Sequence, residues 1–472
     1  MRQWTREQLH RPYSSYAAEE RVRLRIQQQQ SRYRLAYHIQ PETGLLNDPN
    51  GFAFFNGQWQ LFYQHFPFGP VHGLKSWQHI TSPDLTHWSH PHTALLPHPP
   101  YTTDGVFSGS AIPVGERLFL MYTGNIHPIG QSRQSAQLGA WMTADGEIIE
   151  LEQPLISQPP MGYTGHFRDP QIIQIDGDYY ALVGAQSRDK IGEILLYHAT
   201  AVEGPWQLVG PIKWPHAPLG YMLECPNLAF IDDKVVLIFC PQGLDQNVLA
   251  YKNRFPNTYL VADGIDWLTG ELINPGPLVQ LDAGFDGYAT QVTKVDGTVY
   301  AISWLGIPDG TYPTDREGWQ GCLSLVKKLT LVDGQLNQTP VVTNLVGEAF
   351  NPMAENLAGQ AMIQFVVPAG TEGEISLGND HERLKLMVSA EELTVDRSHS
   401  GVPVNPGYGG HRTISWDQKA HQLMLFLDHS CFELFIDKGT QVMSGRIFPE
   451  TNDWRVHAPV EVETHANRIK TI

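Results

Sequence analysis

Five times along this chain a tight-turn pair separates two apolar runs: Asn56-Gly57, Gly115-Glu116, Asp176-Gly177, Asp232-Asp233 and Asp296-Gly297. Such a pair between runs rich in β-branched and aromatic residues marks a β-hairpin. A polar cluster precedes each hairpin, and one member of each cluster, Asp48, Ser108, Asp169, Glu224 and Tyr288, follows the last at steps of 60, 61, 55 and 64 residues. One hairpin per unit of that length fits a four-stranded unit repeated radially, so the expected fold is all-β, a five-bladed β-propeller. Innermost strands of such an array surround one axis. Their matching ends converge, which makes Asp48, Asp169 and Glu224 neighbours in a single pocket.

The propeller is expected over 33–335. After it, short strands such as Ala361-Met362-Ile363-Gln364-Phe365-Val366-Val367 and Cys431-Phe432-Glu433-Leu434-Phe435-Ile436-Asp437 predict a C-terminal antiparallel β-sandwich over 350–472. Residues 1–32, with Glu19, Glu20, Arg21, Arg23 and Arg25 around Val22, Leu24 and Ile26, predict an amphipathic helical arm on the surface. Asp396-Arg397-Ser398 and Arg412 are read as structural or interfacial. The 43 Gly, 34 Pro and 12 Trp in 472 residues match a chain of short strands and many turns.

A net charge of −17, with no basic stripe beyond the first 35 residues, argues against nucleic acid as a partner. The sequence opens Met1-Arg2-Gln3-Trp4 into charged residues without an apolar segment, and no membrane association is expected. Cys225, Cys240, Cys322 and Cys431 lack metal-like spacing and are sparse for the length, which fits a reducing, cytoplasmic setting.

Three carboxylates meeting among aromatic rings suit glycoside hydrolysis, where one attacks the anomeric carbon and a second carboxyl protonates the leaving oxygen. The two must differ in protonation. Asp48, in the polar bend Asn47-Asp48-Pro49-Asn50-Gly51, is expected to be held ionised. Glu224, between Tyr221-Met222-Leu223 and Cys225-Pro226, is expected in an apolar setting that favours its protonated form. Asp169 follows Arg168, whose cation is expected to keep it charged beside the sugar hydroxyls. Phe54, Trp77, Phe107, Tyr288 and Trp304 are the rings expected against the sugar, with Gln64 and Ser108 as hydrogen-bonding partners. No His stands at zinc spacing beside the acids, and no dense oxygen-ligand loop surrounds them, so neither metal nor cofactor is expected.

These residues resemble the β-fructofuranosidase family, the invertases and sucrose-6-phosphate hydrolases. The matching segments are Leu45-Leu46-Asn47-Asp48-Pro49-Asn50-Gly51, Phe107-Ser108-Gly109-Ser110, Phe167-Arg168-Asp169-Pro170 and Glu224-Cys225-Pro226, then Trp304, Gly318-Trp319-Gln320-Gly321, Asp396-Arg397-Ser398 and Ser444-Gly445-Arg446-Ile447-Phe448-Pro449. The resemblance implies a propeller with a C-terminal sandwich, Asp48 as nucleophile, Glu224 as acid/base and Asp169 as transition-state stabiliser. It adds Leu45, Leu46, Asn47 and Arg168 to the substrate-binding set. His72-Gly73-Leu74-Lys75-Ser76-Trp77 is similar to the intracellular sucrose-6-phosphate branch and offers Lys75 to a phosphate. Gln78, Asn227 and Thr290 depart from the common family pattern, on the leaving-group side. The reaction implied is retaining hydrolysis of sucrose 6-phosphate to glucose 6-phosphate and fructose. Unphosphorylated sucrose or short fructans are the alternative substrates, and a non-catalytic carbohydrate-binding propeller is the alternative class. The expected partner is a small sugar, with a homodimer as the assembly allowed for.

Overall fold

The computed structural model describes residues 4–470, so the first three residues of the expected arm and the last two of the expected sandwich lie outside the described residues. All five turn pairs form hairpins, closed by Phe55 with Gln58, Val114 with Arg117, Ile175 with Asp178, Ile231 with Lys234, and Val295 with Thr298. At three of them both turn residues are left-handed: φ is 51° and 74° at Asn56-Gly57, 52° and 95° at Asp176-Gly177, and 49° and 78° at Asp296-Gly297. That geometry matches the twist of the flanking strands, which is why Asn-Gly and Asp-Gly stand there.

Each hairpin begins a sheet of four or five strands. The first strands of the hairpins, β1 (Gly44–Phe55), β2 (Val106–Val114), β3 (Tyr163–Ile175), β4 (Met222–Ile231) and β5 (Gly287–Val295), pack in closed order, each on the next and β5 on β1. None pairs with the next in a ladder. Buried polar side chains join them instead. Asn50 accepts from Gly109 N at 2.9 Å; Ser110 donates to Pro170 O at 2.9 Å and accepts from Ile172 N at 2.8 Å. Gln171 donates to Leu228 O at 3.1 Å and accepts from Leu228 N at 2.6 Å. Asn227 donates to Thr290 O at 3.0 Å and accepts from Val292 N at 3.1 Å, and Gln291 closes the circuit by donating to Gly109 O at 2.7 Å and accepting from Phe52 N at 3.4 Å.

Every inner strand also carries a β-bulge at its polar cluster. Asn47-Asp48 oppose Gln64, Phe107-Ser108 oppose Thr123, Asp169-Pro170 oppose Val183, Cys225-Pro226 oppose Phe239, and Ala289-Thr290 oppose Ser303. Two of the extra residues are prolines, which have no ladder N–H to lose. Asp169, Cys225 and Ala289 adopt φ of 66°, 49° and 51° to turn the chain there. The bulges re-aim the side chains of the five clusters toward one end of the ring.

The last strand of the β5 sheet is Gln335–Pro340, past the expected boundary at 335, and the following pair of sheets starts at Val346–Phe350. That pair, six-stranded and five-stranded, shares one core that includes Ile363, Leu386, Leu425 and Leu434. It is fixed to the ring by buried ions. Asp286 accepts from Arg397 at 2.5 Å, Arg446 N at 2.8 Å and Tyr312 at 2.7 Å, and Arg412 donates to Asn253 and Gly284 O. His38 bridges Asp428 at 2.8 Å and Glu433 at 3.0 Å; burial works to lower its pKa, but the two carboxylates raise it to about 10. Of the residues expected to be structural or interfacial, Arg397 and Arg412 bond across to the ring, while Asp396 accepts from Ser398 N within its own sheet.

The arm forms helices α1 (Arg6–Leu9) and α2 (Ala18–Gln29) and lies against the β1 sheet. Leu74 N donates to Leu9 O at 2.7 Å and Tyr13 donates to Leu74 O at 2.9 Å. Trp4 packs so closely on Gly69 that a Cβ there would come within 2.3 Å of the indole. Among the described residues no helix is long and apolar enough to cross a membrane.

The side-chain circuit sets one prediction. Gln171→Leu keeps the volume but leaves both polar groups of Leu228 buried and unpaired, at about 1–3 kcal/mol each. Urea unfolding is expected to show that loss. An unchanged midpoint would mean that the circuit does not hold the strands together.

Candidate active site

At the bulged end of the ring lies a cavity of about 450 Å³ that brings Asp48, Asp169 and Glu224 together with Asn47, Gln64, Lys75, Phe107, Arg168, Tyr288 and Trp304. Each carboxylate comes from a different inner strand. Leu45, Leu46 and Trp77 do not line it: all three are buried behind its wall, where Trp77 Nε1 donates to Phe107 O at 3.1 Å. Phe54 packs on Trp59 in the core instead of on a sugar. Ser108 lies just behind Asp48 and acts through it.

Asp48 accepts from Ser108 Oγ at 2.6 Å and from Asn47 Nδ2 at 2.9 Å. Gln64 organises both donors, accepting from Asn47 Nδ2 at 2.6 Å and donating to Ser108 at 2.9 Å. Bonded on both oxygens, the Asp48 carboxyl group is fixed in place. Lys75 Nζ donates to the same Gln64 Oε1 at 2.8 Å. Burial lowers its pKa to about 8, against the pull of Asp48, Glu224 and Asp169. Its amine therefore sits beside the carboxylate floor, held by Gln64.

The environments of the other two acids are the reverse of those expected. Arg168 donates to Glu224 Oε1 from Nε at 3.0 Å and from Nη2 at 2.6 Å, while its nearest approach to Asp169 is 3.9 Å. Glu224 Oε2 accepts from Tyr288 at 2.6 Å and Gln242 at 2.7 Å. Glu224 is thus in a polar, fully bonded setting, not the apolar one its sequence neighbours suggest. Asp169 is the desolvated acid: burial pushes it up to about 7, with Arg168 opposing and the charges of Glu224 and Asp48 adding. Its Oδ2 accepts from Cys225 N at 3.1 Å. Strand geometry is the physical reason, since successive side chains of a strand point to opposite faces, so that Arg168 reaches across to β4.

Two buried polar atoms in the cavity wall have no partner among the described residues: Asn47 Oδ1 and Trp304 Nε1. Their residues are 2% and 1% exposed. Neither atom has surface accessible from the cavity, so each is an unpaired group packed inside the wall. His72 stands edge-on to the Trp304 ring in the cavity wall, where desolvation and the Lys75 charge hold its pKa well below the usual imidazole value. Arg6 and His10 of the arm, and His127, Arg133 and His166, complete the wall. Sequence reasoning missed these and Gln242, because nothing in their local pattern marks them; Gln242 becomes visible only through its register with Met222 on β4.

The model of the glycosyl hydrolases family 32 N-terminal domain matches residues 38–340 and that of the family 32 C-terminal domain matches 352–471. A sucrose-6-phosphate hydrolase of Pediococcus pentosaceus is 44% identical over 94% of this chain and 92% of its own. The solved sucrose-6-phosphate hydrolase of Lactobacillus gasseri superposes with a TM-score of 0.96 at 39% identity, covering 99% of this chain and 100% of its own. A β-fructofuranosidase of Bombyx mori superposes at 0.84 with 28% identity, over 96% and 98% of the two chains.

The raised Asp169 couples stability to pH. Its folded-state value of about 7 lies above the ordinary 3.8, so the stabilising proton is held at low pH and is lost as pH rises through about 7. Asp169→Asn removes that loss. Relative to the natural chain, the variant is expected to gain more stability at about pH 8 than at about pH 5, read from urea midpoints; a difference independent of pH would place the Asp169 carboxyl outside a desolvated site.

Proposed function

The chain belongs to glycosyl hydrolase family 32, and on that footing we propose that it is a retaining β-fructofuranosidase that cleaves sucrose 6-phosphate into glucose 6-phosphate and fructose. The observation that carries the reading is the meeting of Asp48, Asp169 and Glu224 in one cavity lined also by Asn47, Gln64, Phe107 and Tyr288. The similarity to sucrose-6-phosphate hydrolases over nearly the whole chain supports the phosphorylated substrate. The architecture assigned with it is a five-bladed β-propeller bearing the site, followed by a β-sandwich. Four buried, unlinked thiols fit a cytoplasmic enzyme.

In this mechanism Asp48, aligned by Ser108 and Asn47, attacks the anomeric carbon of the fructosyl unit. Glu224 protonates the departing glucosyl oxygen, and a fructosyl ester forms on Asp48. Water enters where the glucosyl half has left. Glu224 takes its proton, the ester breaks, and fructose departs with its configuration retained. Arg168, Tyr288 and Gln242 hold Glu224 between these two roles. Asp169 binds fructosyl hydroxyls through bonds that tighten as positive charge develops on the ring.

Asp48→Asn is expected to lower kcat by about ten-thousandfold or more with the fold intact, and Glu224→Gln by about a hundredfold or more on sucrose 6-phosphate but far less on a fructoside with an activated leaving group. Equal losses on both substrates would remove Glu224 from the acid role. For the substrate itself, kcat/KM for sucrose 6-phosphate is expected to exceed that for sucrose by about tenfold or more, since a phosphate adds charge-assisted bonds. Parity would make the chain an enzyme of unphosphorylated sucrose.

A further inference from the structure

One side of the cavity mouth carries positive charge that cleavage of a neutral sugar does not need. Three of the arginines in the wall are matched by carboxylates: Arg168 by Glu224, Arg254 by Asp309 at 3.6 Å, and Arg6 by Asp104 at 2.9 Å. Arg133 is not. Its Nη1 donates to Asn125 Oδ1, its guanidinium lies 5.6 Å from the centre of the Phe107 ring, and no carboxylate pairs with it among the described residues. Its Nε and Nη2 donors have no partner there either. Those two form the edge of a guanidinium that grips an oxyanion as a fork.

The surroundings do not relieve this charge. Asp104, the nearest acid on that side, is already taken up by Arg6, by His127 N at 2.7 Å and by His10 Nε2 at 3.3 Å. His166 accepts from Arg168 and is pushed down to about 4 by burial, with the Arg168 and Arg133 charges adding. His127 is lowered by burial, Arg133 and Arg6. Burial and the neighbouring Arg168 lower Arg133 itself to about 10. A half-buried cation left unmatched is costly, and it persists where a ligand supplies the opposite charge.

Position identifies that ligand. Glu224 marks the leaving oxygen in the proposed reaction, and Arg133 lies near enough to Arg168 and Glu224 to feel both charges, so it stands beside the departing half of the substrate, not the fructosyl half. Arg6 reaches the same rim from the arm: its Nη2 donates to His127 O as well as to Asp104. We infer that Arg133, together with Arg6 presented by the N-terminal arm, binds the phosphate of the departing glucosyl half and sets the preference for the phosphorylated sugar. A phosphate monoester is largely a dianion at neutral pH and matches the charge that Arg133 leaves open. This assignment rests on the sucrose 6-phosphate reading above. It moves phosphate recognition from Lys75, which is committed to the carboxylate floor, to a different wall of the cavity.

The test is kcat/KM for sucrose 6-phosphate and for sucrose in the full-length natural chain, Arg133→Gln, Arg133→Lys and Arg6→Gln, with inhibition of sucrose cleavage by glucose 6-phosphate and by glucose measured on each. Arg133→Gln is expected to lower the ratio of the two kcat/KM values by about tenfold to a hundredfold, Arg133→Lys by less, and inhibition by glucose 6-phosphate is expected to weaken in step while that by glucose holds. A smaller fall in the same ratio is expected for Arg6→Gln. Should Arg133→Gln lose both substrates equally, Arg133 supports the fold only and the inference is overturned. Should the natural chain prefer the phosphorylated sugar and every variant keep that preference, the phosphate lies elsewhere and the substrate reading survives. Should the natural chain show no preference, it is the substrate reading that fails.

Discussion

The site depends on five polar side chains that stitch inner strands which do not pair. Asn50, Ser110, Gln171, Asn227 and Gln291 each bridge to the backbone of a neighbouring strand, and the last returns to Gly109 and Phe52. Twisted sheets set face to face around an axis cannot continue one ladder from sheet to sheet. Their inner edges would otherwise carry unpaired N–H and C=O groups in a dry interior, where each costs about 1–3 kcal/mol. The bridges satisfy those groups and fix the relative height of the strands. Because the bulges stand next to the bridging residues in sequence, the carboxylates they aim are fixed as well.

That placement explains how three acids close together are kept in different surroundings. Gln64 anchors the Asp48 shell, and the guanidinium of Arg168 crosses from β3 to Glu224 on β4 while its own neighbour Asp169 is left to burial. Lys75 stands beside them, its amine held by Gln64. Removing water from a site strengthens each of these terms and makes their geometry matter more. A one-residue change of register in β3 or β4 would break the Arg168 bridge without altering any catalytic side chain.

Tyr13, Trp4 and Leu9 pin the arm to the β1 sheet, and the same docking sets Arg6 and His10 in the cavity wall. The ring alone would be open there. The charged bridges through Asp286 and His38 hold the paired sheets against the other flank. Two segments distant in sequence thus brace a ring whose sheets are closed on one another by apolar clusters and whose axial cavity is lined by polar groups.

Turn pairs and clusters at a spacing near 60 residues were enough to predict an all-β chain of repeated hairpins and to bring Asp48, Asp169 and Glu224 to one place. Those features are legible because turn chemistry and strand alternation are local, and because equal spacing maps onto equivalent positions. The sequence also marked Gln64, Phe107, Tyr288 and Trp304 for the wall, while Leu45, Leu46 and Trp77 proved to lie behind it. What only the tertiary structure decided is who meets whom across strands: that Arg168 serves Glu224, that Glu224 is bonded by Gln242 and Tyr288, and that the arm reaches the mouth. Adjacency in sequence made Arg168 look like the partner of Asp169. In a strand, successive side chains diverge, and the partner is set by the neighbouring strand's height and register, which no local pattern encodes.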